Sequence, residues 1–120
     1  MVRVAVVAVT DLMFQPRLRA AAETLGLAVR IPYTAEEAGA EIAAGPEVVI
    51  VDLHDPVLDA TSVIVAARQA GAKVLAFGRH TEPDMLRQAR LAGANVVVAR
   101  SRLVEDLPRL IDALVGGDSG

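Results

Sequence analysis

Residues 47–60, EVVIVDLHDPVLDA, hold an apolar run that stops at Asp52, with His54 two residues on and Asp55 directly before Pro56. Other apolar runs also end in groups able to do chemistry. Thr10 and Asp11 follow residues 4–9, Gly78, Arg79 and His80 follow residues 74–77, and Arg100 with Ser101 follows residues 96–99. Brought to one edge of a sheet, Asp11 and Asp52 would meet two histidines and two arginines. Two carboxylates a few ångströms apart repel, so such a pair either shares a proton or holds a cation. The chain has no cysteine, and the cation suited to a small, open, oxygen-lined site is Mg²⁺, which takes one or two carboxylates and keeps several waters. A carboxylate beside Mg²⁺ can attack phosphorus and become an acyl phosphate, with the metal offsetting the phosphoryl charge. The simpler alternative is that Asp11 and Asp52 only cap helix N-termini, as Asp often does after a strand.

The elements that must position these groups are legible in the hydrophobic pattern. Apolar runs recur at residues 4–9, 27–31, 48–53, 74–77 and 96–99, separated by segments of helical periodicity. One run every ~20 to 25 residues is the length of a strand, a helix and two short loops. Five βα units follow, hence a five-stranded parallel sheet with helices on both faces, a doubly wound (βα)5 three-layer sandwich of α/β class. Gly26, Gly71 and Gly93 stand where left-handed helix C-caps are expected. Thr34 with Glu37 predicts a capping box for the second helix, and Thr81 with Asp84 a weaker one for the fourth. Pro16, Pro83 and Pro108 are expected in first helical turns. The last helix should bury Leu107, Leu110, Ile111 and Leu114. Residues 1–116 read as one domain and residues 117–120 as a disordered tail.

Composition narrows the function. At 120 residues the chain is long enough for one cored domain, and its 53% apolar content comes from Ala, Val and Leu rather than aromatics. A cysteine-free chain is expected in the cytoplasm. The longest early apolar run is far shorter than the ~18 residues a membrane span needs, and an acid follows it, so neither a membrane segment nor a signal peptide is expected. A net charge of −3 and the scarcity of aromatics give no footprint for nucleic acid.

Taken together, these residues resemble the receiver domain of response regulators, a CheY-like, flavodoxin-like fold, over essentially residues 2–115. In that family the phosphoacceptor Asp ends the third strand, Pro follows four residues later, and an Asp-Gly pair comes next. Asp52, Pro56, Asp59 and Ala60 fall on those positions, with Ala in place of Gly. AGANVVVAR, residues 92–100, likewise resembles the family's entry into the fifth strand. The resemblance implies Asp52 as phosphoacceptor, Mg²⁺ on Asp11, Asp52 and the backbone carbonyl of His54, and a pocket bordered by Thr10, Gly78 and Arg100. Four departures stand beside the matches. Thr10 takes the place of one of two adjacent acids, Gly78 that of a hydroxyl residue, Val97 that of an aromatic, and Arg100 that of Lys, keeping the charge but changing the geometry.

The expected function is therefore a stand-alone, non-enzymatic, receiver-like signalling module, an atypical or pseudo-receiver that acts by binding another protein. A conventional response regulator phosphorylated on Asp52 by a histidine kinase is the alternative, and a small flavodoxin-like enzyme or ligand-binding protein the further one. A homodimer would use the fourth helix, fifth strand and fifth helix. For the histidines, solvent-facing loop positions are expected ahead of a transition-metal set of Asp11, Asp52, His54 and His80.

Overall fold

All five apolar runs become strands in the computed structural model, which describes residues 2–115. The order is β1 (Val4–Ala8), α1 (Gln15–Thr24), β2 (Ala28–Arg30), α2 (Ala35–Ala43), β3 (Val48–Asp52), α3 (Ala60–Gln69), β4 (Lys73–Gly78), α4 (Pro83–Ala92), β5 (Val96–Ala99) and α5 (Arg100–Val115). The strands are parallel and lie in the order β2-β1-β3-β4-β5. Met1 and residues 116–120 lie outside the described residues, and with them the expected tail. Among the described residues no helix is long and apolar enough to cross a membrane.

Alternation along the strands builds two cores. Val7, Val48, Ile50, Leu75 and Phe77 pack with Leu18 of α1 and Leu103, Leu107 and Ile111 of α5. Val6, Val49, Val51 and Ala76 pack with Ile42 of α2, Ile64 and Ala67 of α3 and Ala89 of α4. β3 lies between β1 and β4, covered on both faces, and all five of its residues are buried. Each fully buried aliphatic side chain stabilises the fold by about 1.5 to 3 kcal/mol. Four such residues in β3 outweigh the cost of leaving Asp52 at its end with limited access to water. The strand order reverses between β1 and β3, so the loops after these two strands diverge to opposite faces and leave a crevice at their carboxyl ends.

Local signals mostly act as expected. Gly26, Gly71 and Gly93 adopt positive φ, and so does Gly45 after α2, which the pattern did not single out. Thr34 caps α2 through Oγ1, which accepts from the Glu37 N–H at 3.0 Å. Glu37 reaches back to the N–H of Tyr33 rather than to Thr34 itself. Two expectations need correction. The Thr81–Asp84 box does not form: α4 starts one residue later, behind Glu82, with Pro83 in its first turn, and Asp84 pairs with Arg87 instead. The last helix begins at Arg100, directly after β5, and bends at Asp106 (φ −115°, ψ 19°). Two helical stretches meet at this kink, so Pro108 does lie in a first turn, that of the second stretch; it lacks an N–H and crowds the carbonyl four residues back, which favours a break there. Leu103 and Val115 join Leu107 and Ile111 as buried residues of α5, while Leu110 and Leu114 are only partly buried.

Candidate functional site

The loops after β1, β3 and β4 and the start of α5 enclose a cleft of about 360 Å³ lined by Thr10, Asp11, Asp52, His54, Pro56, Phe77, Gly78, Arg79 and Arg100. Asp52 lies at its base, 7% exposed. Its Oδ1 accepts the His54 N–H at 2.8 Å, a tight turn of the kind Asp favours. Its Oδ2 accepts no hydrogen bond among the described residues, and no buried side-chain oxygen there is left without a partner, so Oδ2 opens to the cleft. Burial pushes the Asp52 carboxyl above its ordinary range; the His54 N–H opposes this, the charge of Asp55 adds to it, and the charges of Arg100 and His54 pull it back.

Asp11 sits across the cleft. Its Oδ1 accepts the Met13 N–H at 2.9 Å in the turn before α1, whose N-cap is Phe14, so Asp11 fixes a turn and does not cap the helix as the simpler alternative had it. Its Oδ2 meets the Arg100 guanidinium at 3.4 Å. Arg100 also lies flat over Phe14, 4.3 Å from the ring centroid, and Phe14 meets Phe77 edge-on at 5.4 Å. The arginine is thereby tied to the core rather than extended into solvent, and it acts on Asp52 only through its field. Among the described residues Arg100 makes no hydrogen bond or ion pair with Asp52.

The residue that sequence reasoning passed over is Asp55. Its Oδ2 accepts the Thr10 N–H at 2.7 Å, and both of its oxygens lie within 3.1 Å of the Thr10 hydroxyl. Its Oδ1 also accepts the N–H groups of Val57 and Leu58, each at 2.9 Å. Burial alone would push this carboxyl up, but the N–H groups of Thr10, Leu58 and Val57 and the Thr10 hydroxyl together hold it below the usual carboxylate range. Asp55 latches the loop after β3 onto the end of β1, and Thr10, expected as a free pocket group, is consumed by that latch. A second latch joins α1 and the loop after β2: the buried Gln15 donates to the Val9 carbonyl and accepts from the Tyr33 hydroxyl.

His54 is not a solvent-facing loop residue. Its side chain is 18% exposed, Nε2 accepts the Arg79 N–H at 3.1 Å, and Nδ1 lies 3.7 Å from Glu82 Oε2. The accepting Nε2 carries no proton, so the ring proton is on Nδ1, toward Glu82. His80 is exposed and is not among the cleft-lining residues. No group of three or more acidic or histidine side chains among the described residues is arranged to hold a metal, so the four-residue transition-metal set is not assembled. Oxygen donors suited to Mg²⁺ remain, the open Oδ2 of Asp52 and Oδ2 of Asp11, but Arg100 already faces the latter.

No family model matches the sequence, and no curated protein does. Solved structures match it closely in shape. A response regulator protein from Burkholderia pseudomallei, solved with a phosphorylated aspartic acid, calcium ion and citrate, superposes with a TM-score of 0.77 at 25% identity, over 98% of this chain and 69% of that one. A CheY-like receiver domain protein from Methanospirillum hungatei matches at 0.75 and 18% identity over 100% of both chains. The receiver domain of a Francisella response regulator matches at 0.78 and 16% identity, over 94% of this chain and 96% of that one. The parallel order β2-β1-β3-β4-β5, with Asp52 at the end of its central strand, is thus the CheY-like receiver fold of the response regulators.

Proposed function

We propose that this domain is a receiver-type signalling module with a divergent phosphoacceptor pocket, and that it acts by docking another protein without needing phosphorylation. The observation that carries this reading is a pair of residues, one at the end of β4 and one within β5. β4 ends in Gly78, which has no hydroxyl to draw toward a group on Asp52, and Val97 puts an aliphatic side chain into β5 where a ring would be needed to follow. A ligand on Asp52 then has little differential contact between two states, and a ligand without differential affinity shifts no equilibrium. Mg²⁺ would be held weakly by Asp11, Asp52 and the backbone carbonyl of His54, in competition with Arg100. A second copy of the chain is a further partner, through the face of α4, β5 and α5, where Leu91 is 74% exposed and Val104 is also exposed.

One observation favours the second reading, a conventional response regulator phosphorylated on Asp52 by a histidine kinase: Oδ2 of Asp52 is open to the cleft. Incubation with acetyl phosphate and Mg²⁺, followed by intact-mass analysis and amide exchange, separates the two. The docking reading expects poor modification of Asp52 and little change over α4, β5 and α5. Efficient modification with a large change on that face, abolished in Asp52→Asn, would establish the phosphorylation switch instead.

A further inference from the structure

Three backbone donors of the cleft are already in use. The Thr10 N–H goes to Asp55, the His54 N–H to Asp52 Oδ1, and the Arg79 N–H to the His54 imidazole. The third of these differs from the others. Asp52 takes a donor of its own turn and Asp55 one from the end of β1, both through carboxylates that fix the turn after β3, whereas His54 reaches across to the end of β4 with a ring nitrogen. It occupies a donor of a residue that lines the same cleft as Asp52. The ring also fills volume there. A Cβ added at Gly78 would lie 3.3 Å from His54 Nε2, 3.2 Å from Leu53 Cδ1 and 3.3 Å from Leu86 Cδ2, tighter than ordinary contact. A glycine inside a strand commonly marks a close approach by another group, and here the imidazole is the one polar group among the three side chains that approach. Glu82, with its Oε2 3.7 Å from Nδ1, favours the tautomer that leaves Nε2 free to accept.

We propose that His54 is an internal stopper of the cleft: its imidazole takes the Arg79 N–H and the space beside Gly78 that a tetrahedral oxyanion next to Asp52 would otherwise use. This deepens the reading of Asp52 as the acid of the pocket and rests on it. The consequence is specific. An anion entering the cleft must displace the ring and break one hydrogen bond, so removing the ring should strengthen anion binding without adding any group to the site. One hydrogen bond of about 1.4 kcal/mol corresponds to a factor of about ten.

The test uses beryllium fluoride, a phosphoryl mimic, with Mg²⁺, titrated into the ¹⁵N-labelled wild type, His54→Ala and the double variant Asp52→Asn/His54→Ala. The Arg79 amide is the reporter. His54→Ala is expected to bind about tenfold more tightly than the wild type, with the Arg79 resonance shifting on binding, and the double variant not to bind. Equal affinity in the wild type and His54→Ala overturns the stopper while leaving Asp52 as the pocket's acid. Binding that survives in the double variant overturns both, because the anion is then not at Asp52. Gly78→Ser supplies an arm that keeps the histidine. The new side chain must push the ring aside, so Arg79 amide exchange should accelerate, and unchanged exchange would count against the proposal.

Discussion

Replacing Asp55 by Ala tests whether the loop after β3 is held in place by this one carboxylate. Four donors lose their acceptor: the N–H groups of Val57 and Leu58 within the turn, and the N–H and hydroxyl of Thr10 from β1. The two local bonds resemble a helix cap, whose loss costs about 1 kcal/mol. The two bonds to Thr10 are charge-assisted, about 1.5 to 3 kcal/mol each when buried. Water reaches this half-exposed site and rehydrates the freed donors, so we take about half that range. The sum is about 2.5 to 4 kcal/mol. For a domain of this length the unfolding entropy makes 1 kcal/mol worth roughly 4 °C, so Tm should fall by roughly 10 to 16 °C. Thermal unfolding followed by circular dichroism measures it, since the chain has no tryptophan. Asp59→Ala is the control, an exposed acid whose side chain meets only Ser62. The pH dependence has a fixed sign. The carboxyl of Asp55 is lowered from 3.8 in the folded state, so its stabilisation is fully present above that value and is lost as pH falls through the lower folded value. The gap between wild type and Asp55→Ala should therefore persist down to pH 4 and close only below it. A fall in Tm no larger than that of Asp59→Ala, or a gap that closes between pH 5 and 7, would refute the latch.

Two further outcomes follow from the same geometry. Asp52→Asn should raise Tm at pH 7: burial raises this carboxyl from 3.8 in the folded state, so its charged form destabilises the fold increasingly as pH rises through the folded value, and Asn keeps the acceptor for the His54 N–H; a variant less stable than wild type at pH 7, or a difference unchanged below pH 3.8, would speak against it. Arg100→Ala should cost less than about 1 kcal/mol, since its partners are an exposed carboxylate and one ring face, yet should strengthen Mg²⁺ binding several-fold by freeing Asp11, as read by calorimetry; unchanged affinity would show that Arg100 does not compete for that carboxylate.

The strands were legible in the sequence because a parallel sheet covered on both faces makes each strand a run of Val, Ile, Leu and Ala, and such runs have few other uses in a chain this short. Their ends were legible for the same reason, and this located Asp52, Gly78 and Arg100. α5 was harder. Its start merges with the end of β5 without a loop, so no punctuation separates them, and Pro108 read as a beginning although helix already precedes it. Thr81 and Asp84 had the spacing of a capping box, but a proline at position 83 fixes the first turn one residue later.

Side-chain pairings in the cleft were a different problem, because each joins positions far apart in sequence. Asp55 and Thr10 are 45 residues apart, and His54 and Arg79 are 25 apart. Half of the Asp55 latch had a local signal: Asp directly before Pro favours a turn, which accounts for its bonds to Val57 and Leu58 but not for Thr10. The loss of an acid at Thr10 was read as a weakening of the pocket. In the fold it becomes a donor that an acid from the next loop can use, so negative charge stays near Asp52 but is stabilised by hydrogen bonds rather than left to a cation. Gly78 carries the same lesson. Treated as a missing hydroxyl, it suggested only a lost contact. Treated as a glycine inside a strand, it asks what approaches the backbone there, and the answer is the imidazole that begins two residues after Asp52. Thr10 and Gly78 therefore belong together. Each is matched by a side chain of the loop after β3, Asp55 in one case and His54 in the other, and that loop closes the cleft from within the chain.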